Sequence, residues 1–484
     1  MPHGRFDNVI VMSRLDAVVV GSGPNGLAAA ITLARAGRSV TVLEANDTIG
    51  GAARSAQLTL PGFVHDVGSA IHPLGVASPF FQSLDLEAHG LRWIYPEASV
   101  AHPLDDGRAA MGWKDLDRTA DGLGADATPY RRFFRYWVEH PDELADFALR
   151  PLLRMPGNPT TAIRFGALST LPATITARSV WKTEEARALF AGHAAHSILP
   201  LGAPFTTSFA ILLGASAHSI GWPFPEGGAQ AIPDVLASIL RDLGGTIETG
   251  REISSMADLP DSTAVIFALG PHQVERIVGD RFPERYRRSL RGFRYGPGAW
   301  KVDYALSEPI PWTNPDVHRA GTVHVGGPLE EIVESERATA RGRFAPPFVL
   351  LAQHTLADPT RAPAGKHTAW AYCHVPNGST VDRTDAIEQQ IERFAPGFRD
   401  CILARHVSSP AILHDGNKCL VGGDVGGGSN KGSQLFFRPR PQANPFTTAD
   451  PAIFLGSAST TPGGGVHGMG GVGAAERALS TILK

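Results

Sequence analysis

Asp16-Ala17-Val18-Val19-Val20-Gly21-Ser22-Gly23-Pro24-Asn25-Gly26 carries the first predicted strand straight into a glycine-rich turn, and Glu44 closes the next strand, Ser39-Val40-Thr41-Val42-Leu43. Strand, turn, helix, strand and acid in this order predict a βαβ dinucleotide site. The three glycines allow a tight turn, close approach of backbone to a pyrophosphate, and close packing of the helix Leu27 to Ala36, whose N-terminal N–H groups face the phosphates. Glu44 is placed to accept the hydroxyls of the adenosine ribose. Ser22, Asn25 and Ala45 join Gly21, Gly23, Gly26 and Glu44 as candidate contacts.

Just downstream, Gly50-Gly51-Ala52-Ala53-Arg54 supplies a second glycine turn and an arginine. Such a pair suits the extended pyrophosphate of FAD and is not needed for NAD; the plainer reading is an ordinary glycine loop with a solvated Arg54. No second complete G-x-G-x-x-G unit is visible for a nicotinamide cofactor.

A chain of 484 residues, 43% hydrophobic, is long enough for two domains. The expected class is α/β: a Rossmann-like FAD-binding domain of discontinuous segments (14–75, 222–290 and 415–484) with a mixed α+β substrate domain (76–221 and 291–414). A formal charge of −3 with scattered Lys and Arg excludes a polyanion-binding surface, so no nucleic-acid partner is expected. Cys373, Cys401 and Cys419 are too dispersed for C-x-x-C chemistry and too few for a disulfide framework, which fits a reducing cytoplasm. No secretory signal is apparent; Met12 is an alternative start, with residues 1–11 an extension. The apolar stretch Phe205 to Gly221 falls short of a membrane span.

Along the chain, 79–221 reads as mainly helical, with amphipathic stretches at Tyr130–Phe147 and Thr183–His196. A loop, Trp222-Pro223-Phe224-Pro225-Glu226-Gly227-Gly228, feeds a helix Ile232–Leu243 and strands at 246–249 and 264–268. Residues 293–412 alternate strand-like runs with turns and predict a second sheet. The closing segment returns to glycine: a strand Ile453-Phe454-Leu455, the run Gly456 to Gly473, and a helix from Ala474.

With both glycine-rich ends in view, the chain resembles the phytoene (carotenoid) desaturase-like branch of FAD-dependent oxidoreductases. Within it, the chain is most similar to the members named after pyridine nucleotide-disulfide oxidoreductases, although it has no redox cysteine pair. Besides the two ends, the resemblance is carried by Trp222 to Gly228, Gln434-Leu435-Phe436-Phe437-Arg438-Pro439 and Thr461-Pro462-Gly463-Gly464-Gly465-Val466-His467-Gly468. It implies that the closing helix faces the flavin pyrimidine edge, where negative charge collects on reduction, with Gly470, Gly471 and Val472 as backbone contacts. It also implies that the backbone of Ile253 meets the adenine. Two departures stand out: Ala52, not arginine, follows the paired glycines, and Ser457 stands where related flavoproteins place an acid at the ribityl chain.

Hydride removal from carbon asks little of the protein beyond a flavin face and a dry cavity, so catalytic groups are hard to read. Lys301 is the first candidate, because Tyr295 to Tyr304 is similar to the monoamine oxidase-type strand whose lysine bonds a water at flavin N5; the alternative is a surface lysine. His467 is the second, as a hydrogen-bond or proton donor, against simple packing. His193 and His196, at i, i+3, with His218 further on, lack a third ligand at a telling spacing, so no metal is expected. Arg150, Arg154, Arg164, Arg178 and Lys182 punctuate an apolar run (Leu152, Leu153, Met155, Ile163, Phe165, Leu168) that reads either as a membrane-facing lid or as ordinary helices with solvated arginines. The expected function is desaturation or dehydrogenation of a hydrophobic, isoprenoid-like small molecule. Flavin-dependent isomerisation or saturation, and a non-catalytic prenyl-binding escort of the same architecture, are the alternatives.

Overall fold

The computed structural model describes residues 14–151 and 157–484. The expected extension at residues 1–11, Met12, and Leu152, Leu153, Arg154 and Met155 of the apolar run lie outside the described residues.

Five parallel strands form the first sheet, in the order Ile453–Leu455, Ser262–Phe267, Leu15–Val20, Val40–Leu43, Thr246–Glu248. Parallel strands need long crossovers, and the sheet is accordingly gathered from three distant stretches of chain. Both faces are covered, which is why its strands read as unbroken apolar runs. Ala17 and Val19 pack into the layer of helices Pro24–Arg35, Ala231–Asp242 and Met469–Thr481, while Val18 and Val20 pack against helices Pro271–Val278 and Glu284–Arg291. The closing helix begins at Met469 rather than at the expected Ala474.

The second sheet has seven strands, in the order Ile402–Ser408, Gly298–Leu306, His367–Val375, Val349–Ala352, Ala320–Val325, Ala98–Pro103, Ala109–Trp113. All its pairs are antiparallel except Ala320–Val325 with Ala98–Pro103. One face meets helix Thr384–Phe394 through Ile387 and Ile391. The other carries a helical layer that includes Ala127–Glu139, Glu184–Ala195 and Thr206–Ser219. The expected amphipathic stretch 130–147 is two helices, Ala127–Glu139 and Pro141–Ala148, because Pro141 cannot extend the first and starts the second. Among the described residues no helix is long and apolar enough to cross a membrane. Of the apolar run, Phe165 is buried while Ile163 is exposed; Arg164 lies over the Tyr136 ring and Arg178 pairs with Glu330.

Register writes the floor of the space between sheet and helices. Lys301 pairs with Tyr372 and Tyr372 with Leu350, which pairs with His324; one step along, Asp303 pairs with Trp370, Trp370 with Ala352, and Ala352 with Thr322. Residues i and i+2 share a face, so these two rows lie side by side beneath the helices.

Candidate functional site

One continuous cavity of about 1430 Å³ runs from the first glycine turn, along the carboxyl ends of the parallel strands, and over the floor of the second sheet. Its near end is walled by Gly21, Gly23, Asn25, Gly26, Glu44, Ala45, Gly51 and Ile253, and its middle by Ser457, Lys301 and His467. Residues from three distant parts of the chain therefore meet on one wall.

The three glycines of the turn do three different things. Gly21 has φ +100°, a backbone state that a side chain resists. Gly26 lies so close to the strand end that a Cβ there would stand 1.8 Å from the Gly21 carbonyl oxygen. Gly23 meets nothing nearer than Gly51 Cα at 3.9 Å; its bareness serves the cavity and not the fold.

Glu44 is 5% exposed. Its Oε2 accepts the Ser22 amide (2.9 Å) and hydroxyl (2.6 Å), and its Oε1 accepts the backbone and side-chain amides of Asn46 (3.0 and 2.9 Å). Ser22 is thus buried behind the wall and orients the carboxylate. Gly50 also sits behind the wall, with its amide on the Ser22 carbonyl (3.1 Å), and its φ of +115° shapes the second turn. Arg54 is not on the wall: its guanidinium donates to the carbonyls of Gly51 and Gly416 (both 2.9 Å) and pins the second turn.

Gly470, Gly471 and Val472 form the first turn of the closing helix, packed behind the cavity wall. A Cβ on Gly471 would stand 1.7 Å from the Asn25 carbonyl oxygen, and the Gly471 amide faces Asn25 Oδ1 at 3.4 Å. These glycines let the closing helix press against helix Pro24–Arg35.

Lys301 is 3% exposed and is no surface lysine. Its Nζ bonds the buried carboxylate of Asp303 on the same sheet face. His65 Nδ1 and His406 Nδ1 each stand 3.9 Å from that carboxylate, and Asp303 Oδ1 has no hydrogen-bond partner. Burial raises the Asp303 carboxyl to about 6, against the pull of the Lys301 ammonium. Asp303, Tyr372 and Trp370 were missed in the sequence: Asp303 shares the Lys301 face two residues along the same strand, and Tyr372 and Trp370 reach it through antiparallel register.

His467 is fully enclosed, with its Nδ1 accepting the Met469 amide (3.1 Å) and its ring engaged by the carbonyls of Gly463 and Gly464. Burial lowers it to about 4, so at neutral pH it is an uncharged staple of the glycine loop and of the helix start. His196 lies on the wall and shares a 3.0 Å contact between Nε2 atoms with His324, while His193 packs behind with both ring nitrogens unpartnered. His218 bonds the Tyr130 hydroxyl (2.9 Å). Among the described residues no group of His, Cys, Asp or Glu has the arrangement of a metal site.

All three cysteines are free. Cys419 reaches the near end of the wall, where its Sγ faces Gln273 Oε1 (3.1 Å), and burial pushes its thiol up to about 11. It is a neutral thiol.

Beyond Lys301 the cavity opens into an arm lined by Phe165, Ile198, Phe205, Phe209, Leu213 and Phe436. This arm is apolar with few polar interruptions.

The NAD(P)-binding Rossmann-like domain family matches residues 19–84, a stretch that takes in most of the first βαβ unit and the second glycine turn. The mouse pyridine nucleotide-disulfide oxidoreductase domain-containing protein 2 is 25% identical over 95% of this chain and 92% of its own. The neurosporene-forming phytoene desaturase of Rhodobacter capsulatus is 24% identical over 94% and 92%. The phytoene desaturases are homologues of this chain. The likeness to the phytoene desaturases runs nearly end to end, so it takes in the cavity floor as well as the Rossmann turn. Among solved structures, an oxidoreductase from Methanosarcina mazei superposes with a TM-score of 0.63 at 18% identity, covering 96% of this chain and all of that one, which establishes a shared fold.

Proposed function

We propose that the chain binds FAD noncovalently and is an oxidoreductase that takes hydride from a C–H bond of a hydrophobic, isoprenoid-like molecule. The single observation that carries this reading is the continuity of the cavity from the glycine turn to Lys301 and on into an apolar arm. A dinucleotide site alone would end near Glu44; a substrate pocket alone would not reach it. The desaturase homologues support the same chemistry.

The residues fit the cofactor. Gly23 and Gly51 leave backbone bare for a pyrophosphate, Glu44 is pre-oriented for ribose hydroxyls, and Ile253 lies on the near wall for an adenine. When bound, the flavin supplies the hydride acceptor. The absence of a cysteine thiolate on the described wall and the engagement of His467 by its neighbours support noncovalent attachment.

The chain's own part is positioning and proton control. The apolar arm excludes water and holds the substrate by shape. Lys301 holds its ammonium on the floor, anchored by the Asp303 carboxylate, and there it holds a proton or a water at Nζ.

Lys301→Met alone strands Asp303 as a buried unpaired carboxylate, a destabilising change of about 3–5 kcal/mol. The informative variant is therefore Lys301→Met with Asp303→Asn. It is expected to retain FAD and a native melting curve, while reoxidation of the reduced protein by oxygen, or its reduction by substrate, slows by about tenfold or more in stopped-flow absorbance. Unchanged rates in both directions would remove Lys301 from the chemistry.

A further inference from the structure

Arg438 directly follows the apolar run Leu435-Phe436-Phe437, yet its side chain is 2% exposed and reaches the cavity wall. Its bonds are few. Nη2 donates to the Gly428 carbonyl (2.7 Å) and to Asn430 Oδ1 (3.3 Å), and Nε has no partner. Nη1 likewise has no hydrogen-bond partner among the described residues, although the Gly463 turn approaches so closely that a Cβ there would stand 2.7 Å from it. No carboxylate lies within ion-pair distance of Arg438 among the described residues. Asp424 is the nearest acid, but its oxygens accept the amides of Gly296 and Gly426 (2.7 Å each), and burial shifts its carboxyl upward.

A buried guanidinium with idle donors is costly unless an anion completes it. Burial lowers Arg438 only to about 10, so it is a cation at neutral pH. It stands where the apolar arm meets the closing glycine run: the Gly463 turn crowds Nη1, and Phe436, two residues before it, lines the arm. Phe436 packs edge-on against Phe205 (5.0 Å between ring centres), and Asn430, which touches Arg438, also donates to the Ser197 carbonyl (3.0 Å). The next residue, Ile198, and Phe205 are the two non-glycine residues with positive φ among the described residues (+55° and +70°), and both line this arm. A β-branched residue held in that state marks a wall shaped against its own preference.

We propose that Arg438 anchors the carboxylate of an otherwise apolar substrate whose hydrocarbon tail fills the arm, so that the molecule acted on is a long-chain or isoprenoid acid. One guanidinium suits one carboxylate, and Nη1, the donor left free beside the Gly463 turn, is the group that meets it with a charge-assisted N–H bond. The proposal rests on the apolar arm being the substrate site of the oxidoreductase reading.

The test is calorimetric titration of the purified protein, with its own bound cofactor, by farnesoate and by farnesol, which differ only in the head group. The acid is expected to bind about tenfold or more tighter than the alcohol, and Arg438→Met to abolish the difference while the alcohol's affinity holds. Equal affinities in the wild type overturn the proposal whether or not the variant folds, and so does an Arg438→Met protein that keeps the preference. Flavin content, read by absorbance on the same samples, separates the two claims. FAD-loaded protein without the preference sinks the carboxylate anchor alone, and protein that takes up no added FAD yet keeps the preference sinks the oxidoreductase reading alone.

Discussion

Between pH 6.5 and pH 4.5 the protein is expected to lose most of its stability. His65, His72, His102, His196, His218, His354 and His467 are lowered by burial to between about 3 and about 4, and His193 and His324 fall well below their ordinary value for the same reason. Neighbouring cations reinforce the shift at His65, beside Lys301, and at His354, beside Arg361. Unfolded, each histidine takes up a proton as the pH falls through about 6.5; folded, each stays neutral until about 4. The unfolded state binds more protons across that window, so stability is present above pH 6.5 and is lost as the pH falls.

Each such histidine is worth about 1.4 kcal/mol one unit below its unfolded value. Several together rival a typical total of about 5–15 kcal/mol. Asp303 works the other way: its carboxyl, raised to about 6, favours the fold as the pH falls from 6 toward 4, and Asp424 and Glu388, also raised by burial, act with it, but these are three groups against nine histidines. The melting temperature should drop by roughly 10 °C or more between pH 7 and pH 5. His193→Leu, which replaces a ring with two unpartnered nitrogens, should flatten the curve. A melting temperature constant over that range would show that these rings are not held neutral.

The second large effect separates two glycines three residues apart. Gly26→Ala puts a methyl group 1.8 Å from the Gly21 oxygen, a backbone atom that cannot yield without opening the turn. It should give little or no soluble folded protein. Gly23→Ala meets only Gly51 Cα, at an ordinary contact distance of 3.9 Å, and is expected to fold with an unchanged melting curve in the absence of cofactor. Its methyl group lies where a pyrophosphate would rest, so cofactor affinity should fall about a hundredfold or more. If Gly23→Ala retains full cofactor affinity, the phosphates do not lie on this turn.

The first βαβ unit was legible because its signals are local: strand, glycine spacing and acid lie within some thirty residues. The closing helix was read late because Gly470, Gly471 and Gly473 argue against helix by propensity. In the fold their bareness admits Asn25 and Phe446, whose atoms would lie 1.7 and 2.2 Å from added Cβ atoms at Gly471 and Gly473. Lys301 was visible as a candidate, but its environment was not. Asp303, only two residues on, shares its face because both lie in one strand, and Tyr372 and Trp370 arrive through antiparallel register from far along the chain. Arg438 was visible only as the charge that ends the apolar run Leu435-Phe436-Phe437, with Arg440 two residues on. That it would be buried without a counter-ion depends on loops at 424–430 and 461–464, which no local pattern foretells.

The central claim is that the cavity holds FAD. It is tested most directly by purifying the protein, precipitating it with acid, and quantifying flavin and nicotinamide nucleotides in the supernatant against protein. Yellow protein with close to one FAD per chain, all released by acid, is the expected result. A colourless protein that takes up no added FAD, but binds NAD or NADP instead, would contradict it.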